Sequence, residues 1–255
     1  MAKKKEKEKY EISDFTPSWI DLEFPNESEY LDTMDVVKYY LIHSPCDRSS
    51  SRGTNVDNWG KPSIVLLDRI KDALGLEKGV NYDYGKSKPE MKILFDKYHL
   101  ATDFTDKKED IFIIQNDSNV FESIFKHIRN SIAHSRWQVK NDIYYFEDGS
   151  DENIDGEVLF CVTARIVLSK LSLLKLRDLI IAGPTDEEKY KINLDNTLDC
   201  LLKKLSEAYK GKPFKRKDAI DKLELSNDMW IKLYRKGKKN GVMKFSKSFW
   251  EIKKV

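Results

Sequence analysis

Six consecutive residues, Arg129-Asn130-Ser131-Ile132-Ala133-His134, bring a guanidinium, an adjacent carboxamide and an imidazole within two turns of chain. A guanidinium neutralises a phosphate through a fixed fork of donors. An imidazole, titrating near neutrality, takes or gives a proton at a ribose hydroxyl. A carboxamide supplies a donor and an acceptor with which to orient either group. Together the three residue types point to phosphodiester chemistry on RNA. A lone helical histidine is more often a hydrogen-bonded core or surface residue, so the reading depends on which face His134 occupies.

The element that must position them spans residues 119–137. Asn119 caps its start and Glu122, three places on, completes a capping box. Phe121, Ile124, Phe125, Ile128 and Ile132 recur at spacings of three and four and form one apolar stripe. At about 100° per residue, Asn130 falls roughly 180° from Phe121, His134 about 220° and His127 about 240°, with Arg129 on the flank near 80°. The polar groups at the end of this helix, His127 included, are therefore expected off its core face.

This pattern resembles a known motif. Arg129 to His134, preceded by an aromatic-aliphatic helix and followed by Ser-Arg-Trp, is similar to the Arg-polar-x(3–5)-His motif of HEPN domains. Those are helical-bundle ribonucleases of toxin–antitoxin, abortive-infection and CRISPR-associated systems. Residues 143–181 also look like the hairpin and closing helix of a plasmid- and prophage-borne HEPN branch, and the resemblance covers about residues 90–185. Ser135 stands where that branch often has Gly, which is expected only to stiffen the helix end. The resemblance implies a mainly α fold, a HEPN-like helical bundle with a small β-hairpin. It also implies a hydrolase that cleaves RNA without a metal or other cofactor. His134 would activate the 2′-hydroxyl, Arg129 would stabilise charge on the phosphoryl oxygens, and Asn130 would orient either of them. Products would end in 2′,3′-cyclic phosphate and 5′-hydroxyl. Such domains pair two motif helices, so a homodimer with a composite active site is implied, as is an antitoxin or defence-system partner. Lys126 and Arg136 flank the motif and are candidate RNA-guiding charges. The alternative is a non-catalytic nucleic-acid-binding regulator that uses the same body for dimerisation.

Composition sets the background. The chain has 255 residues, 35% charged and 40% hydrophobic, enough for one large or two smaller domains. No apolar run approaches the roughly 18 residues of a membrane span. The charged N-terminus has no apolar core behind it, unlike a signal peptide, so a cytoplasmic location is expected. Cys46, Cys161 and Cys200 are scattered and have no Cys-x2-Cys spacing, which favours a reducing compartment over a disulfide framework or a zinc site.

The net charge of +2 conceals an asymmetry. Residues 211–255 carry 14 Lys and Arg against 5 Asp and Glu, a net of +9, and the first 210 carry 31 against 38, a net of −7. The division expected is a disordered charged tail over 1–12, a HEPN-like helical domain over 13–210, and a basic, winged-helix-like nucleic-acid-binding segment over 211–255. In that segment two short helices and a two-stranded wing would carry Lys215, Arg216, Lys217, Arg235, Lys236, Lys238 and Lys239 toward phosphates of RNA or DNA. Elsewhere, helices are expected over 27–43, 62–74, 89–99, 169–182 and 185–210. A long polar loop carrying Arg48 and Arg52 is expected over 44–61, an acidic loop over 148–156, and a strand over 158–168.

Overall fold

A five-stranded sheet organises the first part of the chain, which corrects the expected mainly α bundle: the fold is mixed α/β. The computed structural model describes residues 7–15, 27–44, 64–116, 120–209, 211–246 and 249–253. Arg48, Arg52 and the Asn119 cap lie outside them. Two compact units divide at Pro184/Thr185.

In the first unit the order is α1 (Glu27–Ile42), α2 (Ile64–Leu74), β1 (Tyr82–Gly85), α3 (Lys88–Lys97), β2 (Ile111–Gln115), α4 (Val120–Ala133), β3 (Trp137–Lys140), β4 (Ile143–Ile154), β5 (Glu157–Ser169) and α5 (Lys170–Ala182). The sheet runs β1-β2-β5-β4-β3, with β1 parallel to β2 and every other pair antiparallel. The overturned expectation has two physical sources. Ile111-Phe112-Ile113-Ile114 is an uninterrupted apolar run with all four side chains buried, the pattern of a strand covered on both faces. The acidic stretch after Asp148, expected as a loop, continues β4 to Ile154 because every residue there finds a β5 partner.

Strand alternation sorts the two faces. Ile111, Ile113, Tyr145 and Val167 point one way and pack with Met91 and Phe95 of α3 and with Phe104. Full burial of a side chain such as Phe95 contributes about 1.5–3 kcal/mol. α4 packs against β2 and β4, and it lies on the opposite face, where Asp148 meets it. The Tyr144 hydroxyl on that face donates to Thr33 of α1.

The presumed tail is laid on the sheet from Lys7 onward. Ile12 pairs with Cys161, the Ser13 N–H donates to Phe160 O at 3.0 Å, and the Val162 N–H donates to Glu11 O at 2.9 Å. Side chains hold it there. Arg165, fully buried between the rings of Phe95 and Phe104, pairs with Glu147 at 2.8 Å and Glu11 at 3.5 Å and donates to Leu100 O.

The second unit contains α6 (Asp186–Tyr209), α7 (Arg216–Leu223), α8 (Asn227–Lys239), β6 (Met243–Ser246) and β7 (Phe249–Ile252). Thr185 and Glu188 exchange the two hydrogen bonds of a capping box at 2.7 and 3.3 Å. Leu198, Leu202 and Leu205 of α6 form one core with Phe214, Ala219, Trp230, Leu233, Met243 and Ile252. The long helix assigned above to the helical domain therefore belongs with the C-terminal segment. α7 and α8 are joined by Glu224, left-handed at φ 52°, Leu225, and Ser226, which caps α8.

Candidate functional site

α4 ends in a Schellman motif. The Arg136 N–H reaches Ser131 O at 2.7 Å and the Ser135 N–H reaches Ile132 O at 3.1 Å. His134 stands at the cap position, its side chain exposed. Ser135 takes φ 56°, the left-handed region in which an L side chain is strained. The expectation that serine merely stiffens this end is thus corrected: it occupies the place that favours glycine.

The packed face of α4 is Ile124, Phe125, Ile128 and Ile132, all buried. Beside it a second row, Ser123, His127 and Ser131, is also buried, so the expected position of His127 off the core is corrected. The reason is Asp148. His127 Nδ1 lies 2.7 Å from the Asp148 carboxylate and Nε2 lies 2.8 Å from Gln115 O. Asn130 Nδ2 donates to the same Asp148 oxygen at 3.2 Å. A buried carboxylate needs such donors, and β4 presents it to α4 at the bulge between Asp148 and Gly149. At Gly149 a Cβ would stand 2.3 Å from Cys161 O and 2.7 Å from the Phe160 ring, so only glycine fits.

The motif residues therefore differ in what they are free to do. Asn130 is committed to Asp148. Arg129 is partly buried, and among the described residues its solvent-shielded Nε has no hydrogen-bond partner. Lys126 is partly exposed. Arg136 is held inside: it pairs with Glu147, bonds Ser13 and Phe15 O, and lies 4.0 Å over the Phe160 ring. It braces the N-terminal segment instead of facing a ligand.

In the second unit Lys215, Arg216, Lys217, Arg235, Lys238 and Lys239 are exposed. Lys236 is not with them, because Asp195 and Asp199 of α6 clasp it at 2.7 and 2.8 Å.

Sequence alone gives Asp148 no role and marks His127 only as a polar group off the core face. The usable signal was Asp148-Gly149 inside a run that alternates once it is paired with 157–169. Among the described residues no three His, Cys, Asp or Glu side chains gather as a metal site, and no helix is long and apolar enough to cross a membrane. A surface cleft of about 560 Å³, lined by Lys97, Tyr98, His99 and Lys107 among others, contains none of the motif residues. Comparison with known proteins adds no relative: no family model, no curated protein and no solved structure matches the chain.

Proposed function

We propose that this chain is a metal-independent endoribonuclease acting through Arg129 and His134. The observation that carries the reading is the end of α4. There an exposed imidazole at the helix cap and a guanidinium with an unmet donor sit five residues apart, on a helix whose last turns are fastened to β4 through Asp148.

The imidazole of His134 takes the proton of a ribose 2′-hydroxyl, and the 2′-oxygen attacks the adjacent phosphorus. As that bond forms, the bond from phosphorus to the 5′-oxygen breaks, leaving a 2′,3′-cyclic phosphate. The guanidinium of Arg129 stabilises the charge that builds on the non-bridging oxygens. Asn130, committed to Asp148, fixes the helix turn from which both groups project. The matching imidazole of a second copy protonates the departing 5′-oxygen, which makes the working unit a homodimer. An activity of this kind suits a toxin or anti-phage effector held in check by a partner.

Incubation of the purified chain with total RNA in EDTA, followed by mapping of the fragment ends, tests this. Cyclic phosphate and 5′-hydroxyl ends are expected, with cleavage falling about 10²–10⁴-fold in His134→Ala at unchanged melting temperature. Cleavage that survives His134→Ala, or fragments ending in 3′-hydroxyl, overturns the proposal.

A further inference from the structure

The second unit presents a charged helix face that its own acidic residues do not neutralise. Asn227, Ile231, Arg235 and Lys238 recur at four, four and three along α8, so they line one side, opposite the buried Trp230, Leu233 and Gly237. Ile231 is 41% exposed. The cations of this unit divide into two sets. Lys232 pairs with Asp228, Lys236 with Asp195 and Asp199, and Lys244 with Glu251. Arg235, Lys238 and Lys239 have no ion-pair partner among the described residues, and all three are exposed. Three uncompensated like charges in the last turns of one helix repel one another, and a polyanion removes that repulsion.

Shape selects the polyanion. α8 follows α7 after a three-residue turn, the connection length of a helix–turn–helix. A helix about 10–12 Å across with its side chains fits the major groove of B-DNA, about 12 Å wide, and the exposed row runs about 17 Å along it at 1.5 Å per residue. The corresponding groove of an RNA duplex is too narrow and deep for a helix. Gly237 sets the neighbouring hairpin in place: a Cβ there would stand 2.6 Å from Met243 Sδ, so its absence lets β6 close on the helix. The hairpin carries Lys244 and the exposed Phe245. At the other end Arg216, exposed between Lys215 and Lys217, donates to Asn227 Oδ1 at 2.9 Å, which ties the start of α7 to the start of α8. We infer that this face binds duplex DNA, with α8 in the major groove and the flanking cations on phosphates.

The test uses the full chain carrying His134→Ala, so that cleavage does not enter. Fluorescence anisotropy follows a random-sequence DNA duplex of about two helical turns, and single-stranded RNA of the same sequence, across a salt series. Arg235→Ala with Lys238→Ala is expected to weaken duplex binding at least tenfold and to lower the slope of log affinity against log salt by about two. Lys189→Ala with Lys191→Ala removes the same charge from exposed cations paired with Asp186 and Glu187 on α6 and is expected to leave binding unchanged. All four side chains are exposed, so both variants should melt with the parent. Equal losses in the two variants, tighter binding of the single-stranded RNA than of the duplex, or no duplex binding at low salt each overturn the inference.

Discussion

A carboxylate under a helix is tolerable only while donors reach it, and among the described residues Asp148 has two on its side chain, from His127 and Asn130. Asp148→Ala strands both beneath α4, which should cost about 3 kcal/mol in urea denaturation. The proposed ribonuclease should lose turnover with it, since the turns that carry Arg129 and His134 lose their tie to β4. Ser135→Gly should act in the opposite direction. Relieving a left-handed serine contributes about 1 kcal/mol, a rise of about 2–4 °C in melting temperature. Glu11 sets a pH dependence. Burial holds its carboxyl above the ordinary carboxylate range, outweighing the attraction of Arg165 and Lys92. A carboxyl that binds its proton more tightly in the folded chain adds stability below its unfolded pKa and loses that addition as pH rises through the folded one. The stability of the parent minus that of Glu11→Gln should therefore fall as pH rises above the ordinary carboxylate pKa of about 4.3, a trend that denaturant titrations at each pH will read. At this scale the motif residues were visible in the sequence. The buried state of His127 was not, because a helical wheel shows direction and Asp148, the partner that makes burial tolerable, lies across the fold.

Among the elements, helices with local signatures were legible. Thr185 with Glu188 and the cap at Ser169 announce helix starts through contacts three residues long. β2 escaped notice because a strand buried on both faces has no alternation. The outer half of β4 escaped because its acidic residues resemble a loop until β5 is set beside them. The bulge there should be intolerant of change. Gly149→Ala places a methyl group 2.3 Å from the Cys161 carbonyl oxygen, a clash with backbone that should cost about 1–3 kcal/mol, measurable by thermal or chemical denaturation.

For the molecule as a whole, the charge step at residue 211 suggested a boundary, yet the cores divide at Pro184. Charge reports what a surface carries, whereas a unit is defined by what its apolar side chains bury. The stripe of Leu198, Leu202 and Leu205 is the floor on which Phe214, Trp230 and Leu233 rest. Residues 185–255 expressed alone should accordingly give a dispersed amide NMR spectrum, and residues 211–255 alone a collapsed one.

The strap at the start of the chain also bears on the order of assembly. A ribosome releases Glu11 154 residues before Arg165, its buried counter-ion, so the opening stretch has nothing to dock on until β5 has been made, and its pairing is a late, long-range step. A bulky fusion ahead of Lys7 would hinder that late step, and refolding yield should favour a purification handle at the opposite terminus.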